Sequence, residues 1–523
     1  MAANRLEARA PRGRDSAHVE RDPSIVSGFL RDAAHFPGGH ADGVARPASE
    51  AAVAALVTSH APLLIAGAQS SLTGGATPHG GLVVSAQKLL GIEREREDHV
   101  RVGAGVPLAD LQAALDVQGA WFPPVPTFMG ASAGGVVATN AAGAATFRYG
   151  TTRAWVDGLT CVMTCGCVID LERGRTIAAP HVEIACTHGT RRLTPGSYHM
   201  PDVPKVSAGY FSAPGMDLID LFIGSEGTLA VITSVTFRVL PAKPRQALAL
   251  LTLPDEAEAL KLVRALRQLP AVAAIEHLDR RCIQIVREDG EDTKNDIAIP
   301  ADASILLIVQ LELPASMRDA EALDQIASAL DDDAPPTELV RFTRLLDRYG
   351  ALERTELAAP GNERRAKQIL AVREAAPTGV NRRVGEAKRQ DDRISKTAAD
   401  MIVPFERFAD MMEIYRAGFG DRGLDFAIWG HISDGNVHPN VLPRSYADVE
   451  DGKAAILEFG REVARLGGCP LAEHGVGRHP VKQALLRQLY GDDGIESMRA
   501  IKRAMDPEWK LAPGVLFSGP QRK

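Results

Sequence analysis

Two histidines flank a tight turn late in the chain, and their spacing suits metal chemistry. Phe426-Ala-Ile-Trp-Gly-His431 reads as a strand, Ser433-Asp-Gly-Asn436 carries the Asp-Gly pair favoured in hairpin turns, and Val437-His-Pro-Asn-Val-Leu442 returns. With Asp434-Gly435 as a two-residue loop, counting outward sets His431 directly opposite His438. Directly paired residues hold their Cβ atoms about 4.5–5.5 Å apart on one face, so two imidazoles there can share a divalent ion. The competing reading is that the two rings merely stack in a sheet. A third donor weighs against it: Ala472-Glu-His-Gly-Val-Gly477 follows a predicted helix over 449–466 that can return the chain to the hairpin. Glu473 would complete a two-histidine, one-carboxylate set with positions open for a substrate. Such ligands suit zinc first, with manganese or iron also compatible.

A second group of residues suits anions. Gly67-Ala-Gln-Ser-Ser-Leu-Thr-Gly-Gly75 joins two predicted strands, and its glycines and small hydroxyl residues let backbone N–H groups point at a ligand. Pro123-Pro-Val-Pro126 leads into Gly134-Gly-Val-Val-Ala-Thr-Asn140 and then Arg148-Tyr-Gly150, and Gly224-Ser-Glu-Gly-Thr228 precedes a predicted strand over 229–237. Each loop alone reads as a tight turn, but three in one domain point to a large phosphate-bearing ligand. No G-x-G-x-x-G opens a helix and no G-x4-G-K-[ST] occurs, which disfavours a Rossmann NAD site and a P-loop.

As a set, AGAQSSLTGGATPHGGLVVS, PPVPTFMGASAGGVVATNAAG, RYGTTRAWVDGL and GSEGTLAVITSVTFRVLP resemble the FAD-binding domain of the vanillyl-alcohol oxidase (PCMH) superfamily, in its branch of D-lactate, glycolate and D-2-hydroxyglutarate dehydrogenases. The resemblance implies cofactor contacts at Gly67, Ala68, Gln69, Ser70, Ser71, Gly74, Gly75, Pro126, Gly134, Gly135, Thr139, Asn140, Tyr149, Gly150, Gly224, Glu226, Gly227 and Ile232. The family's loop commonly opens with arginine and has glycine where Ala66 and Gln69 stand here. No residue matches a flavin-linking histidine, so the FAD is expected to be non-covalent.

GHISDGNVHPN, AEHGVGRHPVK and DPEWKLAPGVLF are similar to the same family's later motifs, with Ser433 in place of a glycine and Ala512 in place of an asparagine. By position, the resemblance makes His431, His438 and Glu473 ligands of one divalent metal and His474 the catalytic base. It also sets Asn440 and Arg373 (in LAVREA) on the substrate carboxylate, and leaves Lys396 unassigned. The implied reaction is FAD-dependent oxidation of a small 2-hydroxy acid, D-lactate, D-2-hydroxyglutarate or similar, to the 2-oxo acid. Metal-assisted deprotonation would precede hydride transfer to flavin N5. One alternative is an FAD-dependent transferase like alkyl-dihydroxyacetonephosphate synthase, whose motif has consecutive histidines where this chain has Glu473-His474. Another is a non-catalytic flavin or metal sensor.

Positioning these groups takes more than one core, because 523 residues exceed what a single domain buries. Residues 1–22 lack an apolar signal segment and are expected to be a disordered leader. Residues 23–243 form the expected PCMH-type FAD-binding domain with two subdomains. The pattern then becomes β-α-β-β-α-β, with strands over 247–253, 271–278, 304–313 and 339–342 and helices over 255–269 and 316–330. That order is ferredoxin-like. The expected fold class is therefore α+β, with residues 244–523 as a substrate and metal-binding FAD-linked oxidase C-terminal domain. It combines an antiparallel sheet with a C-terminal helical segment.

Residues 176–205 lack periodicity and read as a surface excursion. Six cysteines make no disulfide framework, and Cys161, Cys165 and Cys167 are expected to pack as small hydrophobes in a reducing cytoplasm. A net charge of −7 gives no footprint for nucleic acid, and no apolar run reaches the roughly 18 residues of a membrane span. Electrons are expected to leave to a quinone, cytochrome or electron-transfer flavoprotein, with the chain cytoplasmic or peripheral to the inner membrane. A homodimer is compatible with these features.

Overall fold

Leu63–Ala66 and Leu82–Ser85, the apolar runs that bracket the first glycine loop, are neighbouring parallel strands. Gly43–Ala45 and Val19–Glu20 complete their four-stranded sheet. Parallel neighbours require a crossover, commonly helical; residues 67–81 make it without one. Glu50–Ser59 is a helix because the Ser49 side chain accepts the Ala52 N–H and an alanine-rich face is buried. The computed structural model describes residues 4–123, 128–178 and 180–519.

The chain divides into two units, the first built from 1–143, 149–241 and 469–523. Its second large sheet is antiparallel and five-stranded, in the order Val168–Glu172, Val156–Val162, Val231–Arg238, His99–Gly103, Ile92–Arg96. The leader expected over 1–22 is partly ordered, contrary to the sequence reading. Arg5–Glu7 runs parallel to Glu183–Ala185, covering one edge of a hairpin, Val182–Cys186 with Gly189–Leu193, inside the excursion over 176–205. An exposed strand edge is an unpaired row of donors and acceptors, which this leader strand satisfies. Arg9 then forks between Glu50 (2.7 Å) and Asp170 (2.5 Å).

Residues 469–523 also belong to this unit, so the expected run over 244–523 is divided at Gly468. The tail is anchored by the buried Lys502 ammonium, which donates to Thr228 O (2.5 Å), Leu511 O (2.8 Å) and Asp506 Oδ2 (2.6 Å). Leu63 N–H donates to Lys510 O at 2.8 Å, tying the tail to the parallel sheet.

The second unit, 144–148 and 242–468, is built on four strands. Thr355–Ala358, Arg245–Leu253, Ile305–Leu313 and Val272–Leu278 lie side by side in that order, every neighbour antiparallel. This is the expected ferredoxin-like arrangement, and the α+β class holds. The expected strand over 339–342 is instead part of the helix Glu338–Arg348. Thr337 caps it, and Leu339, Val340, Phe342, Thr343 and Leu346 are buried at helical spacing. The sheet continues past Val272–Leu278 with Phe426–His431 and Asn436–Val441, so the histidine hairpin extends the ferredoxin-like sheet.

Candidate functional site

The hairpin of the second unit has a different register from the one counted from the sequence. Ile432–Asp434 form a 3-10 turn closed by Gly435 at φ +85°, so His431 faces Asn436 and His438 faces Trp429. A four-residue connection replaces the two-residue loop: the Gly435 N–H donates to Ile432 O at 3.2 Å, and a Cβ on Gly435 would collide with the Val403 carbonyl. The histidines become diagonal neighbours on one face, their rings 5.7 Å apart at 87°.

Each ring is backed by a carboxylate. His431 Nδ1 lies 2.7 Å from Glu276 Oε1, and Glu276 is the residue directly opposite it on the next strand. Glu276 Oε2 accepts from Arg373 Nε (3.3 Å) and Nη2 (3.2 Å), and Arg373 Nη1 donates to Glu374 at 2.6 Å. Burial would raise the Glu276 pKa, but Arg373 and His431 outweigh it and hold the group at about 2. His438 Nδ1 lies 3.4 Å from Asp400 Oδ1, and Asn436 Nδ2 donates to the same carboxylate at 3.2 Å. With Nδ1–H of His431 given to Glu276, that ring's lone pair is left on Nε2, the pattern of metal-ligating histidines.

Asn440 Nδ2 donates to His438 O at 2.8 Å, and its buried Oδ1 accepts no hydrogen bond among the described residues. Lys396 Nζ donates to Asn381 at 3.0 Å and lies 5.9 Å from the Trp429 ring centroid, its pKa lowered by burial.

The E-H-G motif lies in the first unit. Glu473 Oε1 is 2.5 Å from the ammonium of Lys205, which is wholly buried. The half-exposed His474 follows, its Nε2 3.9 Å from Glu473 Oε2. The next backbone N–H groups are all spoken for: Gly475 donates to Ser207 Oγ (3.0 Å), and Val476 and Gly477 donate to the two oxygens of Glu226 (2.8 Å each). Burial pushes the Glu226 carboxyl up to about 7 against those two donors.

The glycine loops of the first unit converge. Gly67 packs on Ser132, the cap of the short helix Ala133–Ala138, and a Cβ built on Gly134 would meet that of Ala104 at 2.7 Å. A Cβ on Gly224 would lie 3.4 Å from that of Asn140, and one on Gly75 would lie 3.6 Å from Glu226. Ser71 Oγ accepts from Thr73 (3.2 Å) and Gly75 (3.1 Å), shaping the first loop, while Gln69 sits at φ +54° and reaches the Arg31 carbonyl at 2.9 Å. Gly224 N–H donates to Val137 O (2.9 Å) and Glu226 N–H to Ala138 O (2.7 Å).

Ala68, Ser70 and Gly74 belong to the first loop, and Gly135 and Thr139 to the short helix and its end. Tyr149 O accepts from Trp155 at 2.7 Å, Gly150 turns the chain at φ +73°, Gly227 at φ +68°, and Ile232 lies in the strand Val231–Arg238. Pro126 lies outside the described residues. Such close-packed, backbone-lined loops fit the phosphates of a dinucleotide cofactor.

Sequence reasoning missed Glu276, Asp400 and Lys205. A lone charge in the apolar strand Val272–Leu278 was a usable signal for Glu276. Lys205 sat at the end of a stretch read as surface, yet it is buried.

Comparison with known proteins identifies the class. Residues 242–516 match the family of FAD linked oxidases, C-terminal domain, and residues 41–172 match an FAD binding domain. The chain belongs to the FAD-linked oxidase family and is an oxidoreductase. It is 28% identical to a D-lactate dehydrogenase of Archaeoglobus fulgidus, covering 87% of this chain and 85% of that one. It is 26% identical to the glycolate oxidase subunit GlcD of Bacillus subtilis, covering 88% and 85%. The fold is shared with a 4-ethylphenol oxidase from Gulosibacter chungangensis at a TM-score of 0.63 and 15% identity, covering 97% and 95%.

Proposed function

We propose that the protein oxidises a small 2-hydroxy acid, of the D-lactate or D-2-hydroxyglutarate kind, to the 2-oxo acid with non-covalent FAD and one divalent cation. The observation that carries this reading is the His431–His438 pair, with rings 5.7 Å apart and a carboxylate behind each. These two imidazoles and Glu473 would hold the cation. FAD supplies a two-electron acceptor, and the cation lowers the pKa of the substrate hydroxyl.

The chain's own residues do the rest. His474, half-exposed and thus able to pass a proton to solvent, takes the hydroxyl proton. Three of the five Arg373 N–H bonds are engaged with Glu276 and Glu374, leaving two for a substrate carboxylate. Asn440, which gives one N–H of Nδ2 to His438 O at 2.8 Å, has a second N–H to offer the substrate carboxylate beside Arg373. Electrons would pass to a quinone, cytochrome or electron-transfer flavoprotein. No helix of the described residues is long and apolar enough to cross a membrane, which fits an acceptor reached from a cytoplasmic or peripheral position.

The test is an anaerobic screen of D-lactate, glycolate and D-2-hydroxyglutarate, following flavin absorbance before and after chelation. At least one acid should bleach the flavin, chelation should stop it, and zinc or manganese should restore it. A flavin reducible by dithionite but by none of the acids would end the proposal.

A further inference from the structure

Three thiols far from the catalytic motifs meet in the first unit. Cys165 and Cys167 lie on the turn between strands Val156–Val162 and Val168–Glu172, while Cys186 ends the strand Val182–Cys186 of a different sheet. Their sulfur atoms all lie within 4.8 Å of one another, and Cys165 Sγ is 3.9 Å from Cys186 Sγ. Cys161 is not one of the group: it is buried within its strand, opposite Ile169, where burial pushes its thiol far up.

We propose that Cys165, Cys167 and Cys186 form a sulfur-only site for a soft closed-shell cation such as zinc(II) or copper(I). Metal–sulfur bonds of about 2.3 Å in a tetrahedral arrangement separate the sulfurs by about 3.8 Å. A disulfide needs about 2.05 Å, so Cys165 and Cys186, 3.9 Å apart, are unbonded and at a separation that two ligands of one ion can adopt. Cys165 and Cys186 are half-buried, which gives an ion a path from solvent and leaves a coordination position open.

The surroundings favour a thiolate at Cys165, while Cys186 Sγ–H donates to Gly189 O at 3.2 Å and would give up that proton on binding the ion. The positive charge of Arg191 acts on Cys165 and favours its thiolate. The Arg191 guanidinium is fixed there by Ala504 O (3.1 Å) and Met505 O (2.9 Å). Three thiolates around a mono- or divalent cation carry net negative charge, which this guanidinium offsets. Cys167 Sγ has Thr187 Oγ1 at 3.4 Å as a further polar neighbour. The site would clamp the hairpin over 182–193 to the five-stranded sheet. It is independent of the catalytic reading, and soft sulfur donors select a different ion class from the imidazole and carboxylate set.

The test uses reduced, full-length holoenzyme titrated anaerobically with cadmium. Cadmium–thiolate bonds absorb in the ultraviolet, whereas imidazole and carboxylate complexes do not. One equivalent should develop the band, and Cys165→Ser or Cys186→Ser should each remove about one third of its amplitude or more. His438→Ala should leave the band unchanged, and the cysteine variants should retain hydroxy-acid oxidation. Should the serine variants fail to retain flavin, alkylation of the wild-type protein decides instead. Cadmium must then protect the half-buried Cys165 and Cys186 together from iodoacetamide. Absence of the band, its full retention in Cys186→Ser, or equal alkylation with and without cadmium overturns the site.

Discussion

Glu276 divides its two oxygens, giving Oε1 to His431 Nδ1 at 2.7 Å and Oε2 to Arg373 at 3.2 Å. One carboxylate thus fixes the tautomer of a proposed metal ligand and the position of a proposed substrate contact. Glu276→Gln keeps the shape but loses the charge that both partners use. The expected result is a metal affinity about 10–100-fold weaker, read from flavin reduction as a function of metal concentration. An unchanged metal dependence would show that Glu276 does not orient His431 as a ligand.

His474 differs from the two hairpin histidines in being half-exposed, while His431 and His438 are buried. It is the one suited to exchange a proton with water. His474→Ala should slow substrate-driven flavin reduction by about 10²–10⁴ with flavin and metal content intact. Bleaching at the wild-type rate removes it from the role of base.

The loops and motifs were legible in the sequence because each is a contiguous run with its own turn chemistry. The strands Leu82–Ser85 and Phe426–His431 start and stop where the apolar pattern does. What escaped notice depends on partners remote in sequence. Glu276 is 155 positions from His431, and Lys205 is 268 from Glu473. The hairpin register departs from the count because Asp434 ends a 3-10 turn closed by Gly435, and an Asp-Gly pair alone does not separate that turn from a two-residue loop. Residues 339–342 alone have the apolar density of a strand; the helical period of Glu338–Arg348 shows only when the window extends to Leu346.

Lys205 and Glu473 form an ion pair at 2.5 Å with both side chains buried. Removing one partner of such a pair leaves an uncompensated buried charge. Lys205→Met should therefore cost about 3–5 kcal/mol in metal-free protein, measured by urea unfolding. Glu473→Gln added to it should recover part of the loss. If Glu473 also ligates a cation, zinc should narrow the gap between Lys205→Met and wild type. A variant as stable as wild type in chelator would mean that the pair is not held as described.

His277 is wholly buried in the strand Val272–Leu278, its ring 6.0 Å from that of Phe408, with neither nitrogen hydrogen-bonded among the described residues. Burial, with help from Arg416 and against Glu276, lowers its pKa from 6.5 to about 3. Between those values the unfolded chain binds a proton that the folded one refuses. The stability this group contributes is therefore present above pH 6.5 and lost as pH falls toward about 3. At pH 5 the loss amounts to about 2 kcal/mol. His277→Phe fills the same apolar space without a titrating group, so its stability should fall by about 2 kcal/mol less than that of wild type between pH 8 and pH 5. Urea unfolding at the two pH values measures this. Parallel losses in the two proteins would mean that His277 is protonated inside the fold, in which case its buried ring must have an anionic partner.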